Sequence, residues 1–139
     1  MDDFRSQLSS VIDDMLAAGV EPVFLVVDLE GVEHIKQLHG VESLDKFREA
    51  AIGAIVSAGQ GCEAFSYGDD RVVAILAGFD RLKTFAVVEK LRRGLPFLAQ
   101  SFDCALHAQF DILEYVAETG VAGLAGQLVR RPEHRSNVA

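Results

Sequence analysis

The hydrophobic and polar positions follow two different periods along the chain. Residues 2–18 carry apolar side chains at the three- and four-residue spacing of an amphipathic helix, which Gly19 can end. Pro22 then opens the run VFLVV, a short apolar stretch rich in β-branched residues that ends at Asp28. Such a run is typical of a strand buried on both faces. The pattern therefore predicts a helix followed by a central strand.

The helical period returns three times after this strand. A short helix breaks at Gly40, and the next begins with Ser43 as its N-cap and ends near Gly59. A further helix has Asp80 as its cap and Gly94 as its terminator. Four apolar positions are predicted to lie inside that last helix: Leu82, Phe85, Val88 and Leu91.

The remaining segments predict strands and a final helix. Residues 62–77 read as a hairpin with its turn at Gly68 and Asp69, residues 104–110 as a fourth strand, and residues 121–131 as a helix. Without the terminal helices the order is β-α-β-β-α-β, the ferredoxin-like α+β plan. In that plan the first strand lies between the third and the fourth, antiparallel to both. Its carboxyl end therefore lies beside the turn that joins the second and third strands.

Length and composition exclude several classes of function. The 139 residues fit one domain spanning 1–139, and a formal net charge of -8 argues against binding to nucleic acid or to an anionic membrane. No apolar run approaches the roughly 20 residues of a membrane span, so we expect a soluble cytoplasmic protein. Cys62 and Cys104 have no zinc-site spacing and are expected to be small buried residues. We expect no metal and no cofactor.

Acidic residues gather at one end of the predicted sheet. Asp28 and Glu30 close the first strand, and the plan brings them near Gly68, Asp69 and Asp70. Carboxylates in this arrangement are what a Mg²⁺-dependent phosphoryl-transfer site needs. Acids at strand ends and turns are also commonly solvated, and spacing alone favours that simpler interpretation.

Three segments resemble GGDEF domains, the diguanylate cyclases. The run VVDLEGVEHIKQLHGVESLDKF matches the first family motif without a gap, SYGDDRVVAIL matches the signature segment, and LVRRPEHRSNV matches the closing segment. The resemblance implies a nucleotidyl-cyclase palm. It places Asp28 on the metal-binding aspartate, Glu30 on the second acid and Asp45 on the guanine-reading aspartate. It also places Arg131 and Arg135 on phosphate-binding positions.

Each of these assignments has a simpler alternative. A helix-surface acid such as Asp45 is more often solvated than ligand-binding. Basic residues near a helix end complement the helix dipole, and Pro132 lies between Arg131 and Arg135.

The signature departs from the family pattern. Asp69 replaces a glycine that would let the backbone approach substrate, and Arg71 replaces an essential acid. Lys36 replaces the base-reading asparagine, and the inhibitory R-x-x-D motif falls on Gly59–Cys62 and is missing. We therefore expect neither diguanylate cyclase activity nor cyclic di-GMP binding at the inhibitory site.

Three functions follow from these matches and departures. The first is a catalytically inactive regulatory or protein-interaction domain, a pseudoenzyme in bacterial signalling. The second is a nucleotide sensor, and the third is a diverged cyclase with its metal ligands shifted to Asp28, Glu30 and Asp70. We expect a protein partner or self-association through the first helix, although its apolar stripe fits its own sheet nearly as well.

Arg71 itself suggests a role. Like charges at close range are unfavourable, and a guanidinium could neutralise the acidic end of the sheet by reaching Asp28 or Glu30. Because neighbouring strand residues point to opposite faces, we expect this contact to need either a twist in the turn or a long side chain that folds over the edge of the strand.

Overall fold

The computed structural model describes residues 2–66 and 70–114. Within these residues the chain forms four helices and four strands. In chain order the elements are α1 (Asp2–Ala17), β1 (Pro22–Glu30), α2 (Glu33–His39), α3 (Val41–Ala58), β2 (Glu63–Ser66), β3 (Arg71–Ala77), α4 (Arg81–Gln100) and β4 (His107–Glu114).

The four strands form one antiparallel sheet in the order β2-β3-β1-β4. The predicted position of the first strand, between the third and the fourth, is confirmed, and so is the ferredoxin-like α+β plan. β1 is almost entirely buried because it has a neighbouring strand on each side and helices on both faces. Its residues from Phe24 to Val27 are completely buried.

The two faces of the sheet carry separate cores. On one face, alternate residues of β1 such as Leu25 and Val27 pack with Phe47 of α3 and Leu91 of α4. On the other face, Phe24, Val26, Val73 and Ile75 pack with α1. The described part of the chain therefore has three layers, and the sheet lies in the middle.

The apolar stripe of α1 is used inside the domain. Leu8 and Ile12 are fully buried against the sheet, whereas Leu16 near the end of the helix is 43% exposed. Of the two predictions for this helix, packing on its own sheet is the one that these buried side chains follow. Whether a partner also docks here stays a prediction.

The junction between α2 and α3 differs from the sequence-based prediction. Ser43 does not cap α3, because the helix begins at Val41 with Gly40 in the N-cap position. Gly40 has φ 92°, a value in the left-handed region that favours glycine, and its amide donates to the carbonyl of Lys36. One glycine therefore ends α2 and starts α3 without a polar side-chain cap.

The prediction that Gly94 ends its helix is wrong. α4 starts after its predicted cap, where Asp80 accepts from the amide of Lys83 at 2.8 Å, and continues to Gln100 through Pro96. Leu82 is 80% exposed and Phe85 is 58% exposed, so neither is the inward residue that was predicted. The inward face is instead formed by Thr84, Val87, Val88, Leu91, Leu95 and Ala99.

The last strand also starts later than predicted, at His107 rather than at residue 104. Cys104 and Leu106 lie buried in the connection before it. The predicted turn residues Gly68 and Asp69 and the predicted helix at 121–131 lie outside the described residues. None of the helices in residues 2–66 and 70–114 has the length and apolar composition that crossing a bilayer requires.

Candidate functional site

A row of polar side chains crosses three strands at the carboxyl end of β1. Asp28 pairs in register with Arg71 of β3 on one side and with Gln109 of β4 on the other. Directly paired residues of antiparallel strands point to the same face of the sheet. The row therefore lies on the face that α1 covers, next to the apolar positions Val26 and Val73.

Arg71 and Asp28 form a buried ion pair. Arg71 Nε donates to Asp28 Oδ1 at 2.7 Å, and the two side chains are only 2% and 7% exposed. The predicted contact between Arg71 and Asp28 is present. The predicted twist is not needed, because the two residues are direct cross-strand partners. Arginine suits this place, since its guanidinium stays protonated and presents several donors in a fixed plane.

Glu30 lies one step further along the same face. Gln109 Nε2 donates to Glu30 Oε2 at 3.1 Å, so β4 supplies a partner to the second acid. Glu30 pairs in register with His107, which makes the contact with Gln109 a diagonal one. The two acids at the end of β1 are thus engaged from different neighbouring strands.

The turn after Glu30 fixes the end of β1. Gly31 has φ 97°, and a Cβ there would lie 3.0 Å from the carbonyl oxygen of Ala105. The Cys104 thiol donates to the Gly31 carbonyl, with a distance of 3.3 Å between Sγ and the oxygen. Burial raises the pKa of this thiol, which favours the protonated form that can donate. These contacts hold the strand end against the segment that leads into β4.

Asp70 meets β1 through its backbone. The amide of Leu29 donates to the Asp70 carbonyl at 2.7 Å, which extends the pairing of β1 and β3 by one step. The predicted proximity of this part of the signature to the end of β1 therefore holds for Asp70. Gly68 and Asp69 lie outside the described residues.

The described side chains at the end of β1 do not fit a divalent metal ion. Asp28, the acid that the resemblance assigns to metal binding, already accepts from a guanidinium, and Glu30 accepts from an amide. Within the part of the chain that the structure describes, no three His, Cys, Asp or Glu side chains are arranged to hold a metal. A fixed cation in contact with Asp28 also opposes a second cation electrostatically.

The remaining candidate residues are not part of this row. Asp45 lies on α3, which packs on the opposite face of the sheet, and its side chain is 61% exposed. It forms an ion pair with Arg48 one turn along the helix, at 3.7 Å. Arg131 and Arg135 lie outside the described residues.

Sequence reasoning missed Gln109. The signal was present, because Gln109 and Asp111 are polar residues two apart that alternate with the apolar residues Ala108, Phe110 and Ile112. Such a pair marks one polar face. The register between β1 and β4 was needed to place that face beside Asp28.

Comparison with solved structures identifies the fold. A sensory box/GGDEF family protein from Caulobacter crescentus matches with a TM-score of 0.61 and 21% identity, over 90% of this chain and 85% of the other. The GGDEF domain of DgcB from Caulobacter crescentus, in complex with c-di-GMP, matches with a TM-score of 0.64 and 12% identity, over 88% and 76%. The active GGEEF domain of a diguanylate cyclase from Vibrio cholerae matches with a TM-score of 0.60 and 13% identity, over 83% and 76%.

The chain has the fold of a GGDEF domain. No family model and no curated protein matches the sequence. The resemblance to GGDEF domains seen in the sequence is thus supported at the level of the fold.

The expectation that the chain is not an enzyme is contradicted by these matches. The GGDEF-type folds that it resembles include a diguanylate cyclase domain described as active. That expectation rested on two signature letters, Asp69 and Arg71. Substitution of signature residues leaves a fold intact, and one fold can support many activities. The fold and the two substituted signature residues together therefore do not exclude catalytic activity.

Proposed function

We propose that the chain is a regulatory domain of cyclic di-GMP signalling that binds a guanine nucleotide at the carboxyl end of β1. The observation that carries this proposal is the pair of half-buried polar side chains Glu30 and Gln109, which lies beside the buried ion pair of Asp28 and Arg71 at the end of the central strand in a GGDEF-type fold. Polar groups fixed on rigid strands are suited to recognising one ligand, because their positions are set before the ligand arrives.

Cyclic di-GMP signalling is the context that the fold favours. A similar domain, that of DgcB, is described in complex with c-di-GMP, and another is an active cyclase domain. The identities of 12% and 13% concern the fold, so the ligand of this chain is our proposal. A guanine nucleotide is the ligand class common to the substrate and the product of such cyclases.

The test follows thermal stability and product formation in the same samples. The full chain is mixed in turn with Mg·GTP, Mg·ATP and cyclic di-GMP. We expect a guanine nucleotide to raise the unfolding midpoint, because a ligand at about 100 times its Kd adds roughly 2.7 kcal/mol to folding stability. Gln109→Ala should reduce the shift. Glu89→Ala, a change at a partly exposed side chain on α4, should leave it unaltered.

Two results would contradict the proposal. One is an unchanged midpoint with all three ligands. The other is a shift that ATP produces as well as GTP and that Gln109→Ala does not reduce, because such binding would be neither guanine-selective nor located at this site.

A second candidate function is a diverged diguanylate cyclase. It is favoured by the match to an active cyclase domain. Formation of cyclic di-GMP from Mg·GTP, lost in Asp28→Ala, would support this function over simple binding. The same samples therefore distinguish the two.

A further inference from the structure

The end of β1 has a cation of its own. Asp28 and Arg71 are direct partners on adjacent strands, in contact at 2.7 Å and almost completely buried. Arginine remains protonated under all ordinary conditions, so its charge is permanent. The carboxylate at this position is therefore neutralised by the chain itself.

We propose that the Arg71 guanidinium takes the position of a divalent metal ion on Asp28 and excludes such ions from this end of the sheet. The inference concerns the site of the proposed function, but it needs no nucleotide to be tested. The ion pair itself carries the argument.

Displacement of Arg71 by a metal ion would be costly. Mg²⁺ binds oxygen at about 2.0–2.1 Å, inside the distance now taken by the guanidinium. For Mg²⁺ to bind Asp28, the Arg71 guanidinium would have to move away from the carboxylate. Its side chain is 2% exposed, so it has no direct access to solvent. A buried charge that has lost its partner is strongly destabilising. The pair therefore resists exchange with a solvated cation.

The same geometry predicts how exclusion can be reversed. Side chains directly opposite on antiparallel strands have Cβ atoms about 4.5–5.5 Å apart. Two carboxylates at that spacing can share one divalent ion. Arg71→Glu would place a second carboxylate opposite Asp28 and remove the resident cation, so one substitution should convert an ion pair into a metal site.

The experiment uses the full chain and Mn²⁺ alone as the probe. Free Mn²⁺ is followed by electron paramagnetic resonance, and the unfolding midpoint is measured with Mn²⁺ or with EDTA. We expect Arg71→Glu to bind one equivalent at least about tenfold more tightly than the unaltered chain. The double variant Asp28→Asn with Arg71→Glu should lose this binding.

A matched control separates the site from overall charge. Arg92→Glu changes the net charge by the same amount at a side chain that is 61% exposed on α4. It should bind Mn²⁺ no better than the unaltered chain. Equal gains in Arg71→Glu and Arg92→Glu would overturn the proposal. So would stoichiometric Mn²⁺ binding by the unaltered chain that is lost in Asp28→Asn.

A neutral variant keeps the test decisive if Arg71→Glu does not fold. Arg71→Gln removes the cation without adding an acid, and Arg71→Lys keeps the charge. Millimolar Mn²⁺ should raise the unfolding midpoint of Arg71→Gln and leave that of Arg71→Lys unchanged. If Mn²⁺ has the same effect on both variants, the proposal is wrong, whatever the outcome with nucleotides.

Discussion

At the scale of single residues, the register of two strands decides the chemistry of the site. The sequence pattern alone places the Asp28 carboxylate at the end of a central strand. It becomes half of a neutral pair because β3 begins with Arg71 directly opposite. The pairing costs the desolvation of two charges and gains a charge-assisted hydrogen bond in return. The ion pair therefore has no net charge, and its two side chains are held in fixed positions.

Breaking the pair should be more costly than removing it. We expect Arg71→Ala or Asp28→Ala to lower the free energy of unfolding by about 3–5 kcal/mol each, because each leaves a buried unpaired charge. Asp28→Asn combined with Arg71→Met should cost less than the sum of its two single changes. Urea denaturation of the four chains of this cycle measures the coupling.

An exposed ion pair provides the control for this cycle. Glu89 lies 3.7 Å from Arg92 on the surface of α4, where solvent screens the interaction. Glu89→Ala should change stability by about 0.5 kcal/mol or less. If Arg71→Ala is no more destabilising than Glu89→Ala, the buried pair does not stabilise the fold.

The thiol of Cys104 should resist alkylation. Burial raises its pKa above the ordinary 9.0, and the protonated form donates to Gly31. Its contribution to stability is therefore complete below the unfolded-state pKa and is lost as the pH rises through the higher folded-state value. Iodoacetamide at pH 8 should modify it more slowly than a cysteine peptide. Equal rates would contradict the burial argument.

At the scale of elements, tertiary packing overrides local signals at the middle of α4. Gly94 and Pro96 are helix breakers by propensity, yet the helix continues through both. Leu95 is fully buried beyond the predicted end, and Ala99 one turn later is buried as well. Burial of these residues against the sheet keeps the chain helical.

Replacing Gly94 by alanine should therefore stabilise the protein. Gly94 is an interior helix residue with open space where a Cβ atom would lie, so alanine meets no clash. We expect a gain of about 0.5–1 kcal/mol in the free energy of unfolding, measured by urea denaturation. A loss would indicate that Gly94 ends the helix after all.

Gly31→Ala is the opposite case. Its φ of 97° disfavours any side chain, and the added Cβ would press on the Ala105 carbonyl. We expect a loss of about 1–2 kcal/mol from the backbone conformation alone. The two glycine variants therefore test whether the backbone position of a glycine decides if its replacement by alanine raises or lowers the free energy of unfolding.

The fold could be predicted from the sequence because its main signals are local. The run VFLVV indicates a strand buried on both faces, and Asp80 caps its helix as predicted. The candidate site could be predicted only in part. Arg71 was expected to reach Asp28 or Glu30, but its direct opposition to Asp28 depends on a strand register that residue spacing does not contain. Gln109 was missed for the same reason.

At the scale of the whole molecule, α1 determines which side chains on one face of the sheet are covered. The central strand is apolar on both faces, so one layer of helices would leave Phe24 and Val26 uncovered. Leu8 and Ile12 of α1 cover them, and the polar row continues along the same face beyond this apolar cluster. The helix is therefore part of the fold, and a partner, if one docks, meets a different set of side chains from this buried stripe.

A comparison of two α-helical positions tests this assignment. Ile12 is completely buried against the sheet, whereas Leu38 of α2 is 65% exposed. We expect Ile12→Ala to lower the free energy of unfolding by about 2–5 kcal/mol, because the change removes buried apolar surface and leaves a cavity between helix and sheet. Leu38→Ala should change it by about 0.5 kcal/mol or less. Urea denaturation gives both values, and sedimentation of the same samples gives the oligomeric state. If Ile12→Ala instead kept full stability and dissociated an oligomer, α1 would be an interface between chains rather than the cover of its own sheet.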